Sequence, residues 1–243
     1  MFILQTENGQ VLTDMGKAIY ESVQFEKWLH PDSELAVRLQ EDTTPVIMPD
    51  IPIGSIEWTQ AVSGIRLQPD NLPACCWGQS YAPRGGFAIL TKEELEERLH
   101  KDPKTPLFIK SATKCKGWEA QTVNNNIDIP DDTLYFCSNT VSFTEEWRVF
   151  VTERKIMDVR RYLGDWDQEL TRKECQQVQE WVSTLEISYP VYTLDIGRTD
   201  DGHLEVIELH QFIACGLYGF SDLSAIRRMA AQAWRYAVQK AQG

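Results

Sequence analysis

The sequence predicts an α+β protein in which strands and helices are grouped into layers. Two pairs of alternating apolar and polar segments are joined by hairpin-type turns, and no regular strand–helix–strand alternation runs through the chain. Composition agrees: 42% hydrophobic and 25% charged residues over 243 positions suit a soluble protein with one large core or two modest ones.

In chain order, the opening MFILQ run followed by apolar positions at Ile19, Phe25, Trp28 and Leu29 predicts a small strand-then-helix unit. Recurrent proline and glycine between Thr44 and Pro83 predict irregular connections and short strands. Thr91, with Glu94 three residues on, predicts a capping box opening a helix through KEELEERLH. Pro106 to Lys110 reads as a buried strand ending in a lysine, followed by a loop through Gly117. Leu134–Cys137 and Glu146–Val151 read as strands, and Ile156–Tyr162 as the return of a hairpin. Apolar spacing predicts helices over Leu170–Leu185 and Leu223–Gln242.

Bulk properties exclude some classes. A net charge of −12 and a pI near 4.8 disfavour a general nucleic-acid binder, which needs a basic face to displace counterions from phosphates. The opening MFILQTENGQ has no basic, apolar leader pattern, and no run approaches the ~20 apolar residues of a membrane helix, so the expected location is cytoplasmic, with no membrane partner. The six cysteines lack metal-type C-x-x-C spacing and are expected as free thiols. Nothing in the pattern sets an oligomeric state.

Three constellations carry candidate chemistry. In TLDIGRTDDGHLEVIELH, with Asp201-Gly202 as a two-residue turn whose positions both take positive φ, Asp195 lies opposite Glu208 and Thr193 opposite His210. The period of two then puts Leu194, Ile196, Ile207 and Leu209 on a buried face, with Asp195, Glu208 and His210 on the other. Facing carboxylates repel by roughly 0.2–1 kcal/mol unless a cation lies between them. A divalent metal would supply that cation; the alternative is a solvated sheet face. In PLFIKSATKCKGW, Lys110, Lys114 and Lys116 crowd beside Gly117, a pattern able to hold a polyphosphate; the alternative is a solvated charged loop. In EEWRVFVTERKIMDVRRYLGD, with Glu153-Arg154 as the turn, Arg148 lies opposite Val159 and Glu146 opposite Arg161, so Arg148 and Arg161 share a face and Arg160 points away. Two arginines on one face suit phosphate or carboxylate oxygens; the alternative is a cross-strand Glu146–Arg161 ion pair.

Taken in order, the strand lysine, the glycine-bearing loop, the hinge-like strand, the arginine strand and the final Asp…Glu-x-[polar] hairpin resemble the ATP-grasp superfamily of carboxylate–amine ligases. The likeness is nearest to a clade of small phage and bacterial members distinguished by two arginines and a lysine, with similar EWRVFV, LDIGRTDDG…VIELH and GLYGF stretches. It covers about Phe87 to Phe220, and Ile51 to Trp58 more loosely.

The resemblance implies two α+β subdomains sandwiching a nucleotide. A small N-terminal α/β region would span 1–84 and the ATP-grasp domain 85–243, with a subdomain boundary near 138–145. It implies ATP as nucleotide and Mg²⁺, or Mn²⁺ in its place. Lys110, Lys116 and Gly117 match phosphate contacts, and the stretch holding Tyr135 and Cys137 matches the hinge beside adenine. Arg148 and Arg161 match the catalytic arginines, and Asp195 and Glu208 the metal carboxylates. His210 departs from the usual Asn of the last motif; imidazole suits a transition metal better than hard Mg²⁺. The implied reaction is ATP-dependent joining of a small-molecule, peptide or protein carboxylate to an amine, or to a thiol, through an acylphosphate. Two alternatives stand beside it: a nucleotide-binding or interaction protein that kept the scaffold without turnover, and a purely structural sheet protein.

Overall fold

The computed structural model describes residues 1–67, 69, 71–124 and 128–242. Its elements form three sheets and two covering layers of helices. The N-terminal sheet has β1 (Phe2–Glu7) at its centre, pairing in parallel with β3 (Val37–Gln40) and β4 (Ile51–Ile53); β2 (Gln10–Val11) pairs antiparallel at its end. Helix α1 (Asp14–Leu29) enters this layer through Thr13, whose hydroxyl accepts from the Gly16 N–H. The irregular stretch expected between Thr44 and Pro83 includes a helix, α2 (Ile56–Ser63), capped by Ser55 and closed by Gly64 in the left-handed region.

The second sheet is antiparallel, in the order β5 (Ala88–Leu90), β8 (Tyr135–Asn139), β6 (Leu107–Ser111), β7 (Gln121–Val123). Helix α3 (Lys92–Lys101) covers its outer face with Leu95 and Leu99, and both hydrogen bonds of the expected Thr91–Glu94 capping box are formed. The third sheet has the order β10 (Lys155–Leu163), β9 (Phe143–Thr152), β11 (Val191–Thr199), β12 (Leu204–Gln211), all antiparallel. One face packs Val149, Val151, Leu194, Ile196, Val206 and Leu209 against α4 (Arg172–Thr184), through Val178, Trp181 and Val182.

The opposite face of this third sheet is divided. At one end Phe150 and Val191 enter a core built with α1, the N-terminal strands and α5 (Leu223–Gln242). That core joins the N-terminal layer to the C-terminal helix through Ile19, Val23, Ile226 and Trp234. At the other end the same face carries polar side chains and looks across a cleft to the second sheet.

Both hairpins of the third sheet are bulged, once in β11–β12 and twice, at Met157 and at Tyr162, in β9–β10. In β9–β10 the turn is Glu153-Arg154, with φ of 48° and 64°, and the pairing begins as expected at Thr152–Lys155. Met157 is then an extra residue, after which Phe150 faces Asp158, Arg148 faces Arg160 and Trp147 faces Arg161. In β11–β12 only Gly202 of the expected turn pair has positive φ, 85°, and the connection holds three residues, Asp200 to Gly202, closed by Thr199 N–H to the His203 carbonyl. An extra residue, Ile207, then restores the pairing Asp195–Glu208 and Thr193–His210.

Candidate active site

The cleft between the two sheets contains two adjoining cavities that share Lys110 and Glu208. One, of about 220 Å³, is lined by Phe108, Thr122, Phe136, Ser138, Phe143 and Ile207, with the connection Asn139–Val141 at its side. The other, of about 420 Å³, lies under the loop after β6 and is lined by Lys114, Lys116, Gly117, Trp118, Asn71 and His210. A larger cavity, about 980 Å³ between the N-terminal layer and α5, contains none of these residues.

At the junction, Asp195, Glu208 and His210 each offer a ligand atom, and these atoms lie within 4.8 Å of one another. His210 Nε2 is 2.7 Å from Glu208 Oε1 and 3.3 Å from Asp195 Oδ2. Lys110 Nζ donates to Glu208 Oε2 at 2.7 Å and lies 5.7 Å over the Phe136 ring. Burial alone would raise the Glu208 carboxyl; the charge of Lys110 and the His210 hydrogen bond outweigh it and hold the group well below the usual carboxylate range.

Asp195 is almost fully buried and bound in bidentate fashion by Arg148, with Nε to Oδ1 at 2.8 Å and Nη2 to Oδ2 at 2.7 Å. Arg148 also donates to the Gly216 carbonyl and lies over the stacked rings of Tyr162 and Tyr218. Burial pushes the Asp195 carboxyl up, but hydrogen bonds from Arg148 and His210 pull it below its ordinary value.

The bulge at Met157 overturns the expected pairing of arginines. Arg160, not Arg161, shares the cleft face with Arg148; its Nε donates to Asp158 Oδ2 at 2.7 Å. Arg161 turns to the other face, where its Nη1 donates to the Gln168 carbonyl. The alternative, a cross-strand Glu146–Arg161 ion pair, is absent among the described residues; Glu146 faces Leu163 and lines the smaller cavity, and the Tyr162 hydroxyl donates to Asp195 Oδ2 at 3.3 Å. Burial pushes Glu146 above the usual carboxylate range, and the charges of Asp195 and Glu208 add to this.

Tyr135 and Cys137 turn their side chains away from the cleft. Their side chains are buried with Leu95, Leu99 and Ile109 on the α3 side of β8, and the strand is paired on both edges. Phe136 and Ser138 are the β8 residues that line the cleft. The expected Ile207 core position is likewise displaced, because the bulge turns this side chain into the smaller cavity beside Glu208. Lys116, at φ 50°, and Gly117 line the 420 Å³ cavity with Lys110.

Arg84 was not singled out by the sequence reading. It lines the smaller cavity, pairs with buried Glu205 at 2.8 Å and donates to the Val206 carbonyl. The signal available was Gly85-Gly86: both take positive φ, and a Cβ on Gly86 would overlap the Asn139 side-chain amide.

Two sheets gripping a cleft, with lysines on one and carboxylates on the other, define the ATP-grasp fold. The chain belongs to this superfamily: residues 89–227 match the model of an ATP-grasp domain, the second family of its clade. Among solved structures it is similar to the RimK domain protein ATP-grasp from Sphaerobacter thermophilus, at 13% identity and a TM-score of 0.53 over 98% of each chain. It is also similar to D-cycloserine synthetase DcsG, at 9% identity and a TM-score of 0.52 over 97% of this chain and 99% of that one. D-alanine–D-alanine ligase from Bacillus anthracis gives 13% identity and a TM-score of 0.50 over 99% and 97%. At such identities the likeness is one of fold. No curated protein sequence matches the chain. No helix is long and apolar enough to cross a membrane among the described residues.

ATP-grasp proteins generally use ATP and Mg²⁺, and the donor set of this cleft fits that ion. Two carboxylates suit a hard divalent cation: Glu208 Oε1 and Oε2 and Asp195 Oδ1 each have a second lone pair beyond the hydrogen bonds described, whereas Asp195 Oδ2 accepts from both Arg148 and the Tyr162 hydroxyl. The imidazole of His210 extends the fit to Mn²⁺.

Proposed function

We propose that this protein is an ATP-dependent ligase that activates a carboxylate as an acylphosphate and passes the acyl group to an amine. The observation that carries the proposal is the meeting of Lys110, Glu208, Asp195 and His210 where the two cavities join. The smaller cavity offers an apolar slot between Phe108, Phe136 and Ile207, suited to a purine ring. Thr140 and Val141 beside it offer backbone groups outside β8 and β9. The larger cavity, with Lys110, Lys114 and Lys116, suits the phosphates.

In this reading a substrate carboxylate oxygen attacks the γ-phosphorus, ADP leaves, and the amine nitrogen then displaces phosphate from the acyl carbon. Such chemistry demands alignment and charge neutralisation more than covalent help. Lys110 neutralises phosphate charge while holding Glu208. Asp195, Glu208 and His210 would hold a divalent cation, which supplies electrostatic stabilisation of the transferring phosphoryl group. Arg148, fixed by Asp195, keeps its charge beside that point. Arg160 takes the role expected of Arg161, since only Arg160 faces the cleft.

Two observations favour a second reading. Arg148 engages both oxygens of Asp195, and His210 stands where the superfamily's usual pattern has Asn; both fit a nucleotide-binding protein without turnover. ADP release in the presence of a panel of carboxylates and amines decides between the two. Turnover abolished by Asp195→Asn supports the ligase, whereas ATP binding without ADP release under every condition supports the binding protein.

A further inference from the structure

The loop carrying the lysines is fastened by one carboxylate outside both cavities. Asp132 lies in the connection between β7 and β8. Its Oδ1 accepts from the Thr113 hydroxyl at 3.0 Å and the Thr133 N–H at 2.7 Å, and its Oδ2 accepts from the Trp118 indole N–H at 2.9 Å. Thr113 immediately precedes Lys114, and Trp118 immediately follows Gly117. A single side chain therefore grips the loop on both sides of its lysines.

The grip is itself anchored. The Asp132 N–H donates to the Tyr135 hydroxyl at 2.9 Å, and that hydroxyl donates to the Pro130 carbonyl at 2.6 Å. The Tyr135 ring is fully buried and packs 6.1 Å from that of Trp118. Tyr135, which the resemblance placed beside adenine, is thus a strut for the lysine loop. At the loop's base, Ser111 Oγ accepts from the N–H groups of Thr113 and Lys114.

The held conformation is tightly wound. Lys116 sits at φ 50°, a region that L-residues enter at some cost, and a Cβ on Gly117 would fall 2.8 Å from the Lys114 Cβ. Left to itself, a loop of this kind would relax, and its lysines would have to be ordered again at each binding event. Burial pushes the Asp132 carboxyl up, but hydrogen bonds from Ser111, Trp118, Thr133 and Thr113 outweigh it and bring the group to about 2, so at neutral pH it accepts as a carboxylate.

We propose that Asp132 is a positioning residue that holds the Lys114–Gly117 loop, ready formed, over the phosphate end of the cleft. This rests on the reading of the cleft as an ATP site. The competing view is that Asp132 merely stabilises a surface turn. Asp132→Asn separates the two, because an amide keeps the shape but cannot accept at both positions.

Two measurements apply. In the first, trypsin cleavage after Lys114 and Lys116 is followed in the protein without nucleotide, and the variant is expected to be cut about tenfold faster, the equivalent of one lost hydrogen bond to a charged group. Equal cleavage rates overturn the proposal whatever the cleft binds. In the second, ATP and adenosine affinities are compared by calorimetry. ATP binding is expected to weaken about tenfold while adenosine, which lacks phosphates, is unaffected. Equal weakening of both ligands, or none, returns Asp132 to a purely structural role. Failure of the wild-type protein to bind ATP at all, with the loop nevertheless loosened in the variant, sinks the nucleotide reading and with it the purpose assigned to the loop.

Discussion

Both hairpins of the third sheet carry extra residues in the returning strand, with opposite consequences. In β11–β12 the turn is one residue longer than its Asp-Gly signal suggests, and the bulge at Ile207 offsets that, so Asp195 and Glu208 face each other as simple counting expects. In β9–β10 the turn is the expected one, and the bulge at Met157 is not offset until a second extra residue, Tyr162. The residues between the two change face, and the two neighbouring arginines exchange roles. A turn signal fixes register only as far as the first bulge, because a slip of one residue inverts the inward and outward sets.

The largest test of this contrast compares Arg148→Met with Arg161→Met. The first leaves the buried Asp195 charge without its bidentate partner and is expected to cost about 3–5 kcal/mol in denaturant unfolding. The second removes a partly exposed side chain bonded to one carbonyl and should cost about 0.5 kcal/mol or less. Similar losses at the two positions would contradict the bulged register. Next in size, Arg160→Met should reduce turnover at least about tenfold with little change in stability, whereas Arg161→Met should retain activity. The reverse pattern would restore the unbulged pairing.

A smaller effect is expected at His210. If its imidazole binds the ion, wild-type protein should show stronger ATP-dependent thermal stabilisation with Mn²⁺ than with Mg²⁺. His210→Asn should narrow that difference several-fold, as an amide oxygen suits Mg²⁺ better. An unchanged ratio would mean that the ring only hydrogen-bonds to Glu208. Smallest is Gly202→Ala: at φ 85° the substitution should cost about 1 kcal/mol by loss of the left-handed conformation, without touching ATP binding. A neutral result would show that the three-residue turn does not depend on glycine.

The parts of the site that were legible in sequence share a cause. Lys110 ends a short strand bounded by clear signals, and Asp195 and Glu208 sit on strands where apolar and polar residues alternate, so the faces sort themselves. Where that contrast is missing, the reading failed. Tyr135 to Ser138 are buried on both faces of β8, so the period of two could not say that Phe136 and Ser138, rather than Tyr135 and Cys137, line the cleft. Arg160 and Arg161 were misplaced because Met157 carries no sequence mark of a bulge. Arg84 lies in an irregular segment whose only signal was the glycine pair after it. In the N-terminal layer, β3 and β4 are four and three residues long, too short for a period to declare itself. The longer helices were easier, since the Thr91 capping box marks the start of α3 and amphipathic spacing marks α4 and α5, whereas the eight-residue α2 was not read.

The central claim is that Lys110, Glu208 and their neighbours form a metal–ATP site. Its most direct test is calorimetric titration of ATP, with and without Mg²⁺ or Mn²⁺, into wild-type protein and Glu208→Gln, with folding of both checked by circular dichroism. The account predicts metal-dependent binding by the wild type that weakens at least about tenfold in the variant, as expected for loss of a charged ligand. Binding that is independent of metal and of Glu208, or no binding with either ion, would contradict it.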